Sequence, residues 1–223
     1  MSTYTLYGYF RSSCSARLRI VLNFKNISYE TVPVDLLGNA QLSEAHLSLN
    51  PSASVPLLCR QTGNEVVRIG QSIAAMEYLD EIHPDNPLLP PRSNPELRAT
   101  VRVLVNIIAA DVQPLGNLRV IRRVKNLGGD IEEWCREFMR KGLVAYEAII
   151  RDHDDCGNCY SVGNQMTMAD VCLVPAIWSA ERYGLDLNEF PEISRVFKAL
   201  EQHPAIVAAH WRRQLDTPTE LRL

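Results

Sequence analysis

The chain has 223 residues, 46% hydrophobic and 22% charged, a balance typical of a globular protein that buries a core and can form two modest domains. Its net charge of −3 gives no overall attraction to nucleic acid or to an anionic membrane, so any cationic site has to be local. Apolar runs fall short of the roughly 18–20 residues of a spanning helix, and the first residues lack a signal-peptide pattern. We therefore expect a cytoplasmic protein with no nucleic-acid or membrane partner.

The first third of the chain alternates strand and helix patterns. A short aromatic strand, Thr5–Tyr9, precedes a helix over Ala16–Lys25, and a strand, a short helix, a hairpin of two strands and a further helix follow. The order β-α-β-α-β-β-α predicts a mixed sheet with helices packed on it. The later elements are predicted at Ile27–Val34, Gln41–Leu49, Ser54–Cys59, Glu65–Ile69 and Ile73–Ile82.

The turn between the first strand and the first helix reads Ser12-Ser13-Cys14-Ser15. The first N–H groups of a helix lack intrahelical acceptors and lie at the positive end of the helix dipole. Small hydroxyl and thiol residues at such a position are suited to hold an anion. This turn is the main candidate site in the sequence.

Beyond a proline-rich stretch at residues 83–91 the strand patterns vanish, which indicates a linker followed by an all-helical region. Asn94-Pro95-Glu96 starts a long helix expected to reach about Gln113. Thr167 and Asp170 match a capping box with Asp in place of Glu, and they predict the start of a buried helix in which Pro175 causes a kink. The other helices are predicted at Trp134–Ile150, Ile193–Gln202 and Pro204–Gln214.

The six cysteines are spread too widely for the disulfide framework of a small secreted domain. We expect most of them to be reduced, with several of Cys14, Cys59, Cys135 and Cys172 buried as small hydrophobic residues. His153, Cys156 and Cys159 have the spacing of zinc ligands, but no fourth ligand is evident. A polar loop is the favoured interpretation there, and we predict no metal site.

Taken together, a small α/β domain, a proline-rich linker and an all-helical domain resemble a cytosolic glutathione transferase. The turn Ser12–Ser15 before Arg17-Leu18-Arg19-Ile20, together with the tail Asp216–Leu221, is similar to the zeta class of that family. Val112–Leu115 and Ala180–Tyr183 also match the zeta pattern. The resemblance covers essentially the whole chain.

The resemblance implies a thioredoxin-like N-terminal domain at 1–83, a linker at 84–93 and an all-α C-terminal domain at 94–223. It also implies a homodimer and glutathione as cofactor. The characteristic reaction of the class converts maleylacetoacetate into fumarylacetoacetate in phenylalanine and tyrosine catabolism, and members act on small α-haloacids such as dichloroacetate. Isomerisation about a conjugated double bond needs a nucleophile that adds, permits rotation and leaves, and the glutathione thiolate can do this.

By the same resemblance, Ser13 is our first choice for the hydroxyl that donates to the glutathione sulfur, and Ser12 is the second. Cys14 modulates glutathione binding and is not required as the nucleophile. Val55 precedes a cis-proline, and Ser72 lies where the γ-glutamyl carboxylate binds. The full set of expected glutathione-site residues is Ser12, Ser13, Cys14, Ser15, Ala16, Arg17, Gln41, Val55, Pro56, Gln71, Ser72, Gln113, Asn117, Leu118 and Arg119.

A substrate with carboxylates requires local cations, and Arg11, Arg17 and Arg182 match family positions that bind them. Two alternatives stay open: Arg17 caps the first turn of its helix, or Arg182 pairs with an acid near Glu181. The basic run Arg119, Arg122, Arg123 and Lys125 is interpreted as a solvated or interface face.

Three functions compete at this stage. The first is the glutathione-dependent isomerase. The second is a general glutathione transferase, a haloacid transferase or a maleylpyruvate isomerase on the same fold. The third is a non-catalytic interaction protein, against which the intact serine turn and the Gln71-Ser72 pair argue.

Overall fold

A computed structural model describes residues 2–152 and 159–223, which divide into two compact units. The first unit contains the residues up to Asn86 together with Pro204–Leu223, and the second contains Pro87–His203. The break after Asn86 falls within the predicted linker, whereas the C-terminal segment from Pro204 belongs to the first unit. The domain ranges implied by the resemblance stay a prediction.

The first unit is built on a four-stranded mixed sheet. The strands lie in the order β2-β1-β3-β4; β1 pairs parallel with β2 and antiparallel with β3, which pairs antiparallel with β4. The mixed sheet predicted from the sequence is therefore confirmed. The strands are β1 Thr3–Gly8, β2 Glu30–Pro33, β3 Leu57–Thr62 and β4 Glu65–Gly70.

The predicted strand Ile27–Val34 is shorter in the structure because its first residue hydrogen-bonds to the helix before it. The N–H of Ile27 donates to the carbonyl oxygen of Leu22 at 2.8 Å and so closes the end of the preceding helix. Only Glu30–Pro33 remains to pair with β1.

Helices of the first unit pack around α1, whose residues Leu18, Ile20 and Leu22 are fully buried. Both α3 and the last helix of the chain, α9, contact α1. The helices of this unit are α1 Ser13–Phe24, α2 Glu44–Leu49, α3 Ser72–Ile82 and α9 Pro204–Ala209. Burial of the aliphatic face of α1 on two sides explains why it forms the centre of this unit.

Lys25, just after α1, binds the end of α3 and the residues that follow it. Its ammonium donates to the backbone oxygens of His83, Asp85 and Asn86 at 2.7, 3.0 and 3.1 Å and pairs with Asp80 at 2.9 Å. The Lys25 side chain is almost fully buried, so these four oxygens replace its hydration.

The second unit is helical throughout its described part, as predicted. Its helices are α4 Pro95–Asn106, α5 Leu118–Asn126, α6 Ile131–Asp152, α7 Met168–Arg182 and α8 Pro191–Leu200. The helix expected to reach Gln113 leaves the α form earlier: a π-helical segment, Ile107–Val112, and a 3₁₀ turn, Gln113–Gly116, follow α4. Pro114 has no N–H to continue the ladder. The sequence did not predict α5, because its residues are too polar for a buried helix.

The capping box at the start of α7 is confirmed, with Thr167 and Asp170 bonded as predicted. Pro175 lies inside α7 without ending it. The five described cysteines are free, and Cys59, Cys135 and Cys172 are buried, so the expected burial is confirmed for these three. Over the described ranges, we find no helix with both the length and the apolar character needed to cross a membrane.

Candidate glutathione site

Three of the predicted glutathione-binding stretches meet at one edge of the sheet. Leu57, the first residue of β3, pairs with Tyr7 of β1 on one side and with Gly70 of β4 on the other. The turn before α1 follows β1, Pro56 immediately precedes β3, and Ser72 follows β4. Strand register therefore assembles segments that are distant in sequence.

The turn before α1 separates the roles of its two neighbouring serines. Ser12 is the N-cap, and its Oγ accepts the N–H of Ser15 at 3.1 Å. Ser13 and Cys14 form the half-buried first turn, which contains no acidic residue. Within the described part of the chain the Ser13 hydroxyl makes no hydrogen bond. The structure thus leaves the Ser13 hydroxyl available to a ligand while Ser12 completes the helix start.

Arg17 connects the turn to the start of α3. Its side chain is buried, and Nη1 donates to Ser72 Oγ at 3.1 Å and to Cys14 Sγ at 3.7 Å. Arg17 therefore joins the starts of two helices and does not simply cap the first turn of α1. A guanidinium at this position adds positive charge beside both helix N-termini.

The start of α3 has an unusual backbone. Gln71, its N-cap, has a φ of 67°, in the left-handed region that non-glycine residues rarely adopt. Such conformations cost about 1–3 kcal/mol and concentrate at binding and catalytic sites. The first turn of α3 contains no acidic residue, so its N–H groups are not neutralised by a side chain of their own helix.

Two polar side chains hold the segment before β3. The carbonyl oxygen of Ser54 accepts hydrogen bonds from His46 Nε2 at 3.1 Å and from Asn50 Nδ2 at 2.8 Å. The following Val55–Pro56 peptide bond is cis, as the resemblance implied. Gln41 is half-buried in a 3₁₀ turn, and its Oε1 is buried without a hydrogen-bond partner among the described residues.

The residues of the first unit fit glutathione. The tripeptide brings a thiol and two carboxylates, and the site offers two helix N-termini without first-turn acids, the hydroxyls of Ser13 and Ser72, and the guanidinium of Arg17. The unpartnered Gln41 Oε1 is a polar atom that a ligand can satisfy.

The remaining predicted ligand residues lie in the second unit. Gln113 Nε2 donates to Asn117 Oδ1 at 2.5 Å, and this bond joins the 3₁₀ turn to the residue before α5. Leu118 is half-buried and Arg119 is exposed at the start of α5. The other basic residues of α5, Arg122, Arg123 and Lys125, are also exposed, which agrees with the interpretation as a solvated face.

Arg182, at the end of α7, stacks on an aromatic ring. Its guanidinium lies 4.7 Å from the ring centroid of Tyr183, and the ion pair with an acid near Glu181 is not seen among the described residues. Burial raises the pKa of Tyr183, and the charge of Arg182 opposes that rise. The Tyr183 side chain also forms a hydrogen bond with the buried thiol of Cys135. Tyr183 thus orients Arg182, a role that the sequence did not suggest.

Arg11 is exposed beside the turn, with its guanidinium 5.8 Å from the ring centroid of Phe10. The backbone N–H of Phe10 donates to Asp216 Oδ2 at 2.8 Å. Sequence reasoning used Asp216 only as part of a motif and missed this contact. No local pattern can pair residues 206 positions apart.

The proposed zinc-like cluster lies mostly outside the described residues. His153 and Cys156 are not among them, whereas Cys159 is described as exposed and free. Among the residues that are described, no group of His, Cys, Asp and Glu is arranged to hold a metal ion.

Known proteins resemble this chain over nearly its whole length. The model of the glutathione S-transferase N-terminal domain matches residues 2–81, and that of the C-terminal domain matches residues 133–204. A maleylacetoacetate isomerase of Emericella nidulans is 52% identical, over 98% of this chain and 96% of that protein.

Solved structures extend the comparison. The maleylacetoacetate isomerase of Anaeromyxobacter dehalogenans with glutathione in the active site has a TM-score of 0.87 and 38% identity, over 97% of this chain and 99% of that one. The same protein was also solved with dicarboxyethyl glutathione and citrate in the active site. A zeta-class maleyl pyruvate isomerase in its holo form has a TM-score of 0.88 and 37% identity, over 96% and 100% of the two chains. The chain belongs to the glutathione S-transferase family, in its zeta class.

Proposed function

We propose that this protein isomerises maleylacetoacetate to fumarylacetoacetate with glutathione as cofactor. The observation that carries the proposal is the meeting, at one sheet edge, of two helix N-termini without first-turn acids, joined by the buried Arg17. Full-length relatives named for this activity support the choice of substrate.

Bound glutathione supplies a thiolate that adds to the conjugated double bond, permits rotation and leaves again. At an ordinary thiol pKa of about 8.5, only a few per cent of the thiol is ionised at neutral pH, so the protein has to favour the charged sulfur. The N-terminus of α1 contributes roughly 0.3–1 kcal/mol, and a hydrogen bond from the Ser13 hydroxyl to a charged acceptor about 1.5–3 kcal/mol. Together they lower the thiol pKa by roughly 1–3 units, at about 1.4 kcal/mol per unit.

In this proposal the remaining site residues orient the two ligands. The Ser72 hydroxyl and the first N–H groups of α3 donate to the γ-glutamyl carboxylate, Val55 offers its backbone to the cysteinyl part, and Gln41 contacts the other end. The family resemblance adds Gln113, Asn117, Leu118 and Arg119 to the residues that contact glutathione. Ser15 and Ala16 line the turn, and Cys14 modulates binding beside Arg17.

The substrate carries carboxylates, and we assign their recognition to Arg11, Arg17 and Arg182. The contact with the Tyr183 ring restrains the Arg182 guanidinium, whose paired N–H donors suit bidentate binding of a carboxylate. We expect Arg182→Ala to raise KM for the dicarboxylate about tenfold, with the matched control Arg123→Ala near wild type. An unchanged KM would remove Arg182 from the substrate site.

An absorbance assay of maleylacetoacetate isomerisation, with and without glutathione, tests the proposal directly. We expect a rate that depends on glutathione, and we expect the glutathione to be regenerated after each turnover. Absence of that rate, with turnover of dichloroacetate or chlorodinitrobenzene instead, would establish the general or haloacid transferase. Failure to bind glutathione would support a non-catalytic interaction protein.

Maleylpyruvate is the second candidate substrate. The favouring observation is that the zeta-class maleyl pyruvate isomerase structure matches this chain as closely as the maleylacetoacetate isomerase structures do. Measuring kcat/KM for both diacids on one enzyme preparation separates the candidates, and the larger value identifies the preferred substrate.

We also propose a homodimer formed through the exposed face of α4. Ala99, Val103 and Ile107 line a groove of about 450 Å³, and the charged residues Arg102 and Asp111 also line it. A two-fold axis would bring opposite charges together across this apolar face. Light scattering should report a dimer that Val103→Glu dissociates. The control Val144→Glu, an equally exposed valine on α6, should leave the dimer intact.

A cytoplasmic location completes the proposal. It fits the free thiols of the described cysteines and a reaction that uses reduced glutathione as a regenerated cofactor. Cell fractionation with an antibody to the protein tests the location, and recovery in a membrane or secreted fraction would contradict it.

A further inference from the structure

The C-terminal segment after α9 folds back on the first unit, beyond the residues that either family model matches. Thr217 is buried, and its Oγ1 donates to the carbonyl oxygen of Trp211 at 2.5 Å. Gln214 Nε2 donates to the carbonyl oxygen of His210 at 2.8 Å, and Arg222 Nε to that of Thr217 at 2.9 Å. The segment is therefore a fixed loop with its own hydrogen bonds.

This loop reaches the peptide unit that leads into the site turn. Asp216 Oδ2 accepts the N–H of Phe10 at 2.8 Å, and the ring of Trp211 lies 6.4 Å from the ring of Phe10. Phe10 is 5% exposed, so water has little access to its N–H. The carboxylate thus satisfies a donor that would otherwise be buried alone.

Arg19 holds the same stretch from the α1 side. Its guanidinium donates to the carbonyl oxygens of Phe10 at 3.0 Å, Tyr9 at 3.4 Å and Ala209 at 3.1 Å. Burial lowers the pKa of Arg19 to about 10, and the charges of Tyr29 and Asp216 oppose this, so the side chain remains a cation at neutral pH.

The hydrogen bonds continue from this pair into the serine turn. The Tyr9 carbonyl that accepts from Arg19 also accepts the N–H of Ser12 at 3.0 Å. The Phe10 peptide, clamped between Asp216 and Arg19, is only two residues before Ser12. A shift of Phe10 would therefore move the Ser12 cap and the Ser13 hydroxyl together.

We propose that Asp216 is a positioning residue: with Arg19 it fixes the Phe10 peptide so that the Ser12-Ser13 turn holds the glutathione sulfur in its reactive geometry. The inference rests on the proposed function, since it assumes that this turn binds the thiol. It gives the tail motif Asp216-Thr217 a role in the chemistry and not only in folding.

Position and charge predict opposite effects, which makes the proposal testable. Removing the negative charge of Asp216 would by itself favour the thiolate and lower the thiol pKa. Losing the position of the turn would weaken the donors to the sulfur and raise the thiol pKa. The direction of the change therefore distinguishes positioning from through-space electrostatics.

The experiment compares Asp216→Ala and Asp216→Asn with wild type in the full-length protein. The readout is the pKa of bound glutathione, from thiolate ultraviolet absorbance against pH, together with kcat/KM and the Kd of S-methylglutathione. For Asp216→Ala we expect a thiol pKa about one unit higher and a kcat/KM about tenfold lower at neutral pH, recovering as the pH rises. Asp216→Asn keeps a neutral acceptor and should show a smaller rise. Glu220→Gln removes an exposed carboxylate of the same segment and should behave as wild type.

S-methylglutathione has no ionisable thiol, so its binding reports the peptide contacts alone. A Kd within about twofold of wild type, with the raised thiol pKa, supports positioning. An equal loss in S-methylglutathione affinity and in kcat/KM, or a thiol pKa that is unchanged or lowered, overturns it. Where Asp216→Ala fails to fold, Asp216→Asn is judged by the same criteria. Wild-type protein without a glutathione-dependent rate would count against the proposed function and not against Asp216.

Discussion

Helices α1 and α7 both begin at a hydroxyl N-cap, yet the two starts are completed differently. At α7, Thr167 Oγ1 accepts the N–H of Ala169 at 3.3 Å, while Asp170 accepts the N–H groups of Thr167 and Ser161 at 2.8 and 2.7 Å. Thr167 and Asp170 are both buried. At α1, Ser12 accepts one N–H and no acidic residue follows in the first turn.

The difference shows how one local motif serves either folding or binding. A carboxylate in the first turn neutralises the N–H groups and the positive end of the dipole from within the chain. Without it, the same groups keep their capacity for an external anion, and α3 starts in the same open way. The acid in the first turn, more than the cap itself, distinguishes the start of α7 from the start of α1.

We expect the largest effect from removing the carboxylate in the first turn of α7. Asp170→Ala leaves the buried N–H groups of Ser161 and Thr167 without their acceptor, at roughly 1–3 kcal/mol each. We expect the free energy of unfolding to fall by about 3–4 kcal/mol, measured by urea denaturation. The control Asp186→Ala removes an exposed cap at a short turn and should cost under about 1 kcal/mol. Equal losses in the two variants would contradict the distinction.

We expect the next largest effect from adding a carboxylate to the first turn of α1. Ser13→Asp adds a first-turn acid, which should raise the free energy of unfolding by about 0.3–1 kcal/mol. A carboxylate beside the sulfur repels the thiolate by several kcal/mol at short range, so kcat/KM should fall roughly a hundredfold or more. Ser13→Asn, the neutral isostere, should lose only about tenfold. Similar activity of the Asp and Asn variants would show that charge at this start is unimportant.

A third start, the 3₁₀ turn Trp211–Arg213, is capped by a titratable group, because His210 Nδ1 accepts the N–H of Arg212 at 3.2 Å. Burial, followed by the charges of Arg212, Arg213 and Arg19, lowers the pKa of His210 to about 4. The unfolded imidazole binds its proton near pH 6.5, so native stability is full above that pH and is lost as the pH falls towards 4.

We expect this loss to be about 2 kcal/mol between pH 7 and pH 4.5, after allowing for partial exposure of the ring. His210→Asn keeps an acceptor for the cap but does not titrate, so its stability should change less over the same range. Urea denaturation at the two pH values measures the difference. Parallel losses in the variant and the wild type would assign the acid sensitivity to other groups.

The smallest effects separate the two serines of the α1 turn. Ser12→Ala removes the N-cap and should lower the free energy of unfolding by about 1 kcal/mol, with little change in the pKa of bound glutathione. Ser13→Ala should do the reverse, with stability within about 0.5 kcal/mol of wild type and a higher thiol pKa. If instead Ser12→Ala raises the thiol pKa and Ser13→Ala does not, Ser12 is the donor.

Much of this molecule could be predicted from local patterns. Alternating strand and helix signals gave the mixed sheet, and Thr167 with Asp170 gave the start of α7, because caps and periodicities depend on neighbours in sequence. The shortened β2 and the π-helical end of α4 were not predictable. At β2, the N–H of Ile27 bonds to Leu22 at the end of α1 and does not join the sheet, a contact that local propensity does not encode.

By itself, the sequence determined which segments are candidates for the site: a serine turn before α1, a proline before β3 and a Gln-Ser pair before α3. Each is a local backbone feature written in a few consecutive residues. Tertiary structure alone decided what these segments touch. Strand register places them at one edge of the sheet. The Arg17 side chain hydrogen-bonds to Ser72, and the Asp216 carboxylate near the end of the chain accepts the N–H of Phe10. Such pairings depend on the packing of α1 and α9 against the rest of the unit, and no short stretch of sequence encodes them.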